Sequence, residues 1–226
     1  GMSSANRLLP ILPQGSARLI REVVDFALAS VCAGCGAPGT ALCAECEATL
    51  APRVVPVRTG DVPGCAGLAF DGVAAAVLRA IKEDGQTSLI RPLRPALAAA
   101  VTALCSGSGR VLPVDVVVPV PTSRAAFRRR GFRLPELLAR GIGVPMQRAL
   151  LPARRVADQR LLGVQARRTN LAGAFVANRD GGGASAVLVD DVITTGSTCG
   201  EAARALRAAG FSVVGAVAVA ATPRRR

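Results

Sequence analysis

The sequence predicts an α/β protein built on a parallel sheet, with a small cysteine-rich module ahead of it. Three observations carry this. Near the C-terminus an apolar run at 186–189, a helical pattern at 198–209 and a second apolar run at 213–220 have the spacing of a βαβ unit. Upstream, "VDVVVPVP" at 114–121 reads as a short buried strand entering a proline-fixed loop. Earlier still, "CAGCGAPGTALCAEC" at 32–46 sets two C-x2-C pairs on either side of a seven-residue spacer.

The remaining elements follow in chain order. Apolar residues at helical spacing over 17–30 predict a helix whose inner face is Leu19, Ile20, Val23, Val24, Phe26 and Ala27. A short helix over 43–50 is ended by Pro52, and 53–64, rich in Pro and Gly, reads as a connector. The run 66–70 is a strand, broken by Asp71-Gly72. A helix over 73–82 ends at the Gly85 turn. A second helix over 92–105 ends at "SGSG". After the 114–121 strand comes a strongly basic stretch, then a helix starting over 135–140. A strand at 148–151, a polar and basic segment over 158–170 and a glycine-rich surface loop at 181–185 lead into the final βαβ unit. The expected organisation is a helical segment over 2–31, a cysteine module and linker over 32–60, and the α/β domain over 61–226.

Half of the 226 residues are apolar, enough for a core, and with 3% aromatics that core must be Ala, Val and Leu. No apolar run reaches the roughly 18 residues of a membrane helix. The N-terminus lacks the order of a secretory signal. The expectation is therefore a cytoplasmic protein without membrane insertion. Twenty-eight basic residues against 15 acidic ones give a formal charge of +13, and Lys82 is the only lysine. That balance fits either a coding bias toward Arg with a soluble basic surface, or a polyanionic partner such as nucleic acid or a polyphosphate. There is no histidine. Ser-His-Asp and Cys-His nucleophiles, HExxH proteases and histidine metal sites are excluded.

Two C-x2-C pairs in close succession can present four sulfurs to one tetrahedral metal. An odd total of seven cysteines and the expected compartment argue against two disulfides, and the repetition argues against a redox pair. Cys32, Cys35, Cys43 and Cys46 are the expected ligands of a structural Zn²⁺, with no open position for chemistry. Cys65, Cys105 and Cys199 lie among apolar or small residues and read as buried thiols.

In an open parallel sheet, ligands sit where strand ends lead into helices. "AVLVDDVITTGST", 186–198, is such a place. Thr194, Thr195, Gly196, Ser197 and Thr198 would offer hydroxyls and amides at a helix N-terminus, with Ser197 or Thr198 as its cap. That suits a phosphate. The adjacent carboxylates of Asp190 and Asp191 repel if dry, and make sense if they accept from a vicinal diol or face a metal-bound polyphosphate. Together the pieces describe a ribose 5-phosphate; the plainer reading is two solvated acids before a capped helix. No Walker sequence is present.

"VLVDDVITTGST" resembles the signature of type I phosphoribosyltransferases, which bind phosphoribosyl pyrophosphate. With the four-cysteine module, the chain is similar to the ComF/GntX family of competence-associated phosphoribosyltransferase-like proteins. "IKEDG", "DVVVPVPTSRAAFRRRGF" and "DQRLLGVQARRTNLAGAF" resemble further family segments, so the similarity runs from Cys32 onward. The resemblance implies five parallel strands with helices on both faces, and a variable hood formed or contacted by the zinc module. It implies that Asp190 and Asp191 contact the ribose hydroxyls, directly or through Mg²⁺-bound water, and that residues 194–198 hold the 5-phosphate. Pro121, Thr122, Ser123 and Arg124 would form a pyrophosphate loop, with Arg128 to Arg130, Lys82 and Arg168 as clamps. One departure is Arg133-Leu134 where the family usually has Asn-Gln after R-G-F.

The implied reaction displaces Mg-pyrophosphate from ribose C1 by a nitrogen nucleophile. The transition state is oxocarbenium-like, and Arg and Mg²⁺ stabilise the leaving group. A different reading is a non-catalytic module that binds phosphoribosyl pyrophosphate and zinc and acts on single-stranded DNA or the DNA-uptake machinery. Phe127 and Phe132, interleaved with Arg128 to Arg130, are its stacking candidates.

Overall fold

The computed structural model describes residues 30–107, 111–153 and 172–223. The helix expected over 17–30 and the basic segment over 158–170, with Arg168, lie essentially outside them. Helix α1 (Ala44–Thr49) follows the cysteine module. Strands β1 (Val55–Thr59) and β2 (Val62–Ala69) form a hairpin. Helices α2 (Gly72–Asp84) and α3 (Ile90–Ser106) come next, joined through a 3-10 turn at Thr87–Leu89. Strand β3 (Val116–Pro119) leads to helices α4 (Arg124–Arg130) and α5 (Leu134–Ala139). A ribbon of β4 (Leu150–Pro152) and β5 (Phe175–Ala177) precedes β6 (Ser185–Ile193), α6 (Ser197–Ala208) and β7 (Ser212–Ala221).

The main sheet has five strands in the order β1-β2-β7-β6-β3. Four are parallel, and β1 is antiparallel on the edge. The class is as expected, but the fifth strand is not a parallel one. It is made from the stretch read as a connector. Its Pro56 is tolerated because an edge strand has only one ladder to serve. Pairing of β2 with β7 begins at Gly64, just past Pro63, so that proline also costs no ladder bond.

Alternation along the strands sends side chains to two cores. Val187, Val189, Val217 and Val219 face α2, α3 and α5. Ala186, Leu188, Ala216 and Ala218 face α6 and the β4–β5 ribbon. Small residues let the layers approach closely. A Cβ added at Gly67 would stand 2.1 Å from the Ala96 carbonyl oxygen of α3. The stretch Thr87–Ser106 is long and apolar enough to cross a membrane by length and composition alone. Here Leu93, Ala96, Leu97, Ala100 and Leu104 are buried against the sheet, as in a core helix. Ala33, Ala41, Leu42 and Leu50 of the cysteine module pack on the same core.

Candidate functional site

β6 carries both acids, and the strand runs past them to Ile193. Asp190 continues the face of Ala186 and Leu188, toward α6, where the Cys199 thiol stands 3.9 Å from its Oδ2. Asp191 turns to the other face, where Lys82 Nζ, in the last turn of α2, lies 3.0 Å from its Oδ2. The Asp191 N–H donates to Asp190 Oδ1 at 2.8 Å. Burial, and then the charge of Asp191, push the Asp190 carboxyl up to about 7. Burial and the nearby Asp190 charge raise the Cys199 thiol as well, so it stays neutral. The pair thus holds one acid tied to a cation and one poised between its two forms.

The loop 194–198 joins β6 to α6. Thr194, Thr195 and Ser197 are exposed. The N-cap of α6 is Gly196 at φ +79°, and no side chain caps the helix. The expected cap by Ser197 or Thr198 does not form, because both already lie inside the first turn. Instead the Thr195 and Ser197 hydroxyls meet at 2.9 Å, and Ser197 N–H donates to Thr195 Oγ1 at 3.4 Å. An uncapped helix start behind a ring of hydroxyls is a phosphate-shaped feature. Its floor is β1: a Cβ at Gly196 would stand 2.0 Å from the Arg58 carbonyl oxygen. The hairpin tip reaches the helix too, with Gly60 and Gly200 in close backbone contact and Arg207 paired with Asp61.

Pro121, Thr122 and Ser123 leave β3 at the same sheet end, since β3 and β6 are parallel and in register. Ser123 caps α4, accepting from Ala126 N–H at 3.2 Å. Arg124 and Arg128 are exposed and Arg130 is half-buried. The Nε of Arg130 is buried without a hydrogen-bond partner, a donor left for an anion or water. Lys82, expected with these arginines, pairs with Asp191 in this structure. Arg133 stacks on Phe127, its guanidinium carbon 4.1 Å from the ring centre, and lies 3.7 Å from Glu136. Leu134 is buried in the core. These two positions serve packing in this chain. Phe132 also packs on the core, so neither phenylalanine offers two free faces for a base.

Sequence reasoning missed one clamp. Glu201 of α6 accepts from the Gly173 N–H at 2.8 Å and from Arg204 at 2.7 and 2.8 Å. Hydrogen bonds from Arg204 hold the Glu201 carboxyl below its usual range. This ties the chain entering β5 to α6. The E-x-x-R spacing of i,i+3 partners was its only signal.

The four cysteines converge. The Sγ atoms of Cys32, Cys35, Cys43 and Cys46 lie within 4.8 Å of one another. Those of Cys35 and Cys43 are 3.7 Å apart, against the ~3.8 Å edge of a tetrahedron with Zn–S near ~2.3 Å. Amides of Cys43 and Gly34 donate to Cys32 Sγ at 3.3 and 3.4 Å. Such bonds, the one from Cys43 foremost, pull Cys32 down to about 6. Burial pushes Cys46 up to about 12, so a bare cluster resists full ionisation and a cation is the natural partner. The donor set fits structural Zn²⁺ and leaves no open position. For Mg²⁺ the carboxylates and hydroxyls of 190–198 are a suitable hard-oxygen set.

Residues 115–226 match the phosphoribosyl transferase domain family. The chain is 35% identical over 116 residues to the DNA utilization protein YhgH of Escherichia coli O157:H7, covering 47% of this chain and 49% of that one. It is 34% identical over 116 residues to the protein of the same name in Shigella flexneri, with the same coverage. The chain thus spans about half the length of the curated relatives it matches. Among solved structures it is similar to an adenine phosphoribosyltransferase at 16% identity and TM-score 0.41, covering 78% of this chain and 89% of that one. The Saccharomyces cerevisiae adenine phosphoribosyltransferase gives 15% identity and TM-score 0.36, covering 76% and 85%.

Proposed function

We propose that the chain, whose residues 115–226 match the phosphoribosyl transferase domain family with four clustered cysteines ahead of them, is a ComF-like phosphoribosyltransferase-family protein that binds phosphoribosyl pyrophosphate. The observation that carries this is one strand-to-helix junction. It sets Asp190 and Asp191 immediately before an uncapped, hydroxyl-lined helix start. The loop 194–198 holds the 5-phosphate with its amides and hydroxyls. Asp191 accepts from a ribose hydroxyl, and Asp190, near its ionisation point, either accepts or donates. Thr122 and Ser123 face the pyrophosphate, with Arg124, Arg128 and Arg130 supplying positive charge. Arg168, outside the described residues, is retained as a clamp on the resemblance alone.

If the site turns over, the C1–oxygen bond to pyrophosphate breaks as a nitrogen nucleophile bonds to C1. Bound Mg²⁺ would neutralise the departing pyrophosphate. The arginines stabilise the same developing charge, and the adjacent carboxylates offset charge on the ring. Among the described residues no group is placed as a general base, which favours an acceptor with an acidic N–H or ammonia.

The second reading, action on single-stranded DNA, is supported by the +13 charge, by exposed arginines on α4 and by relatives named for DNA utilization. Calorimetric titration with phosphoribosyl pyrophosphate and Mg²⁺ tests the pocket that both readings share, and single-stranded DNA binding that falls steeply with salt and survives Asp191→Asn would favour the second. Binding by the wild type that disappears in Asp190→Asn/Asp191→Asn is the expected result. No heat from wild-type protein would overturn the pocket reading and leave salt-sensitive DNA binding as the alternative.

A further inference from the structure

One helix joins the two clusters. α2 begins at the cysteine module, where the Gly34 backbone is wedged between Cys46 and Val73. A Cβ there would stand 2.6 Å from Cys46 Sγ and 3.0 Å from a Val73 methyl. Val73 lies in the first turn of α2, and no side chain caps that turn. Ala33, Ala41, Leu42 and Leu50 of the module share a core with Val77, Leu78 and Ile81 of α2. The helix then delivers Lys82 to Asp191 at 3.0 Å. The rise from Val73 to Lys82 is about 13 Å. A helix this short draws its stability from packing rather than propensity, so its uncapped start depends on what is packed there.

We infer that Lys82 is a positioning residue for Asp191, and that the four-thiolate module sets its position through α2. Among the described residues, Lys82 is the cation paired with either acid. Without it, the charge of Asp191 beside Asp190 is left unbalanced, and Asp191 turns away from where a diol would sit. Loss of the metal frees Cys46, slackens the contact through Gly34 to Val73, and lets α2 fray toward the ion pair. The module thereby sets the geometry of the acids from a distance. The ligand arm of this inference rests on the reading in the preceding section; the structural arm does not.

The chain carries a single lysine, which makes the test site-selective. Full-length protein, zinc-loaded and chelator-stripped, is treated with an amine-acylating reagent, and modification of Lys82 is followed by mass spectrometry with circular dichroism reporting the fold. Stripping should raise the Lys82 rate about threefold, the scale of a partly exposed ion pair. Asp191→Asn in zinc-loaded protein should match that rate. Val73→Ala leaves every thiolate in place and should give an intermediate rise with zinc still bound, which keeps the test available if stripped protein unfolds. Equal Lys82 rates in wild type, Val73→Ala and folded stripped protein would overturn the inference. In the ligand arm, Lys82→Met should weaken phosphoribosyl pyrophosphate binding about tenfold and Lys82→Arg should restore it. Equal affinity in wild type and Lys82→Met would overturn the positioning role. Absence of binding in every protein would refute the pocket reading, while an accelerated Lys82 in stripped protein would still support the coupling.

Discussion

Gly196 does two jobs that no other residue can combine. It takes φ +79°, and its missing Cβ leaves room for the Arg58 carbonyl oxygen, which an added Cβ would meet at 2.0 Å. Gly196→Ala should therefore cost more than the roughly 1–2 kcal/mol of a left-handed non-glycine residue, and should remove phosphate affinity with it. Urea unfolding reads the first effect and phosphate titration the second. Asp190 makes a different prediction. Unfolded, its carboxyl ionises near 3.8; folded, burial and Asp191 hold it to about 7. Between those values the unfolded chain binds fewer protons, so stability falls as pH rises from about 4 to about 7 and levels off above. Asp190→Asn should flatten that slope in denaturation midpoints taken at about pH 5 and about pH 8. The sequence showed the two acids and the loop as a unit. It could not show that strand alternation sends them to opposite faces, because Lys82 lies a hundred residues earlier in the chain and only the fold brings it to Asp191.

At the scale of elements, tight layers rest on glycines rather than on large side chains. The α3 backbone sits on Gly67, where a Cβ would stand 2.1 Å from Ala96 oxygen, and Gly215 would likewise collide with Leu104. Gly67→Ala should push α3 off the sheet and cost about 1–3 kcal/mol, seen as a lowered denaturation midpoint with the denaturant slope retained. Elements with a full apolar period were legible: α2, α3 and the final βαβ unit lie within a few residues of expectation. Elements whose reason is elsewhere were not. β1 carries Pro56 and is flanked by Gly60 and Pro63, a connector's composition, and becomes a strand only because β2 pairs with it. α4 buries no residue, so its arginines carry no period; the Ser123 cap and Gly131 at φ +77° define it instead. β5 is three residues long and is held by Ala177 and Phe175 pairing with Leu150 and Pro152.

At the scale of the molecule, the cysteine module is continuous with the main core, since Leu50 is buried in the same cluster as Leu93 and Val217. Protein purified without added metal should contain about one equivalent of zinc by elemental analysis, and chelation should lower its melting temperature. A content below about half an equivalent with all four thiols titrating free would remove the metal from the account. The edge hairpin has a further consequence. The stretch that matches the phosphoribosyl transferase domain family starts at residue 115, yet β1 and β2 lie before it. β1 is the floor beneath Gly196, and β2 is the neighbour that covers one side of the ten-residue strand β7. Cut at that boundary, the polypeptide would lose that floor and bare a long apolar edge open to any other strand. The matched domain and the physically whole one thus have different borders in this chain. A gene fission or domain swap that respected only the first would yield a sticky fragment with a collapsed anion cradle.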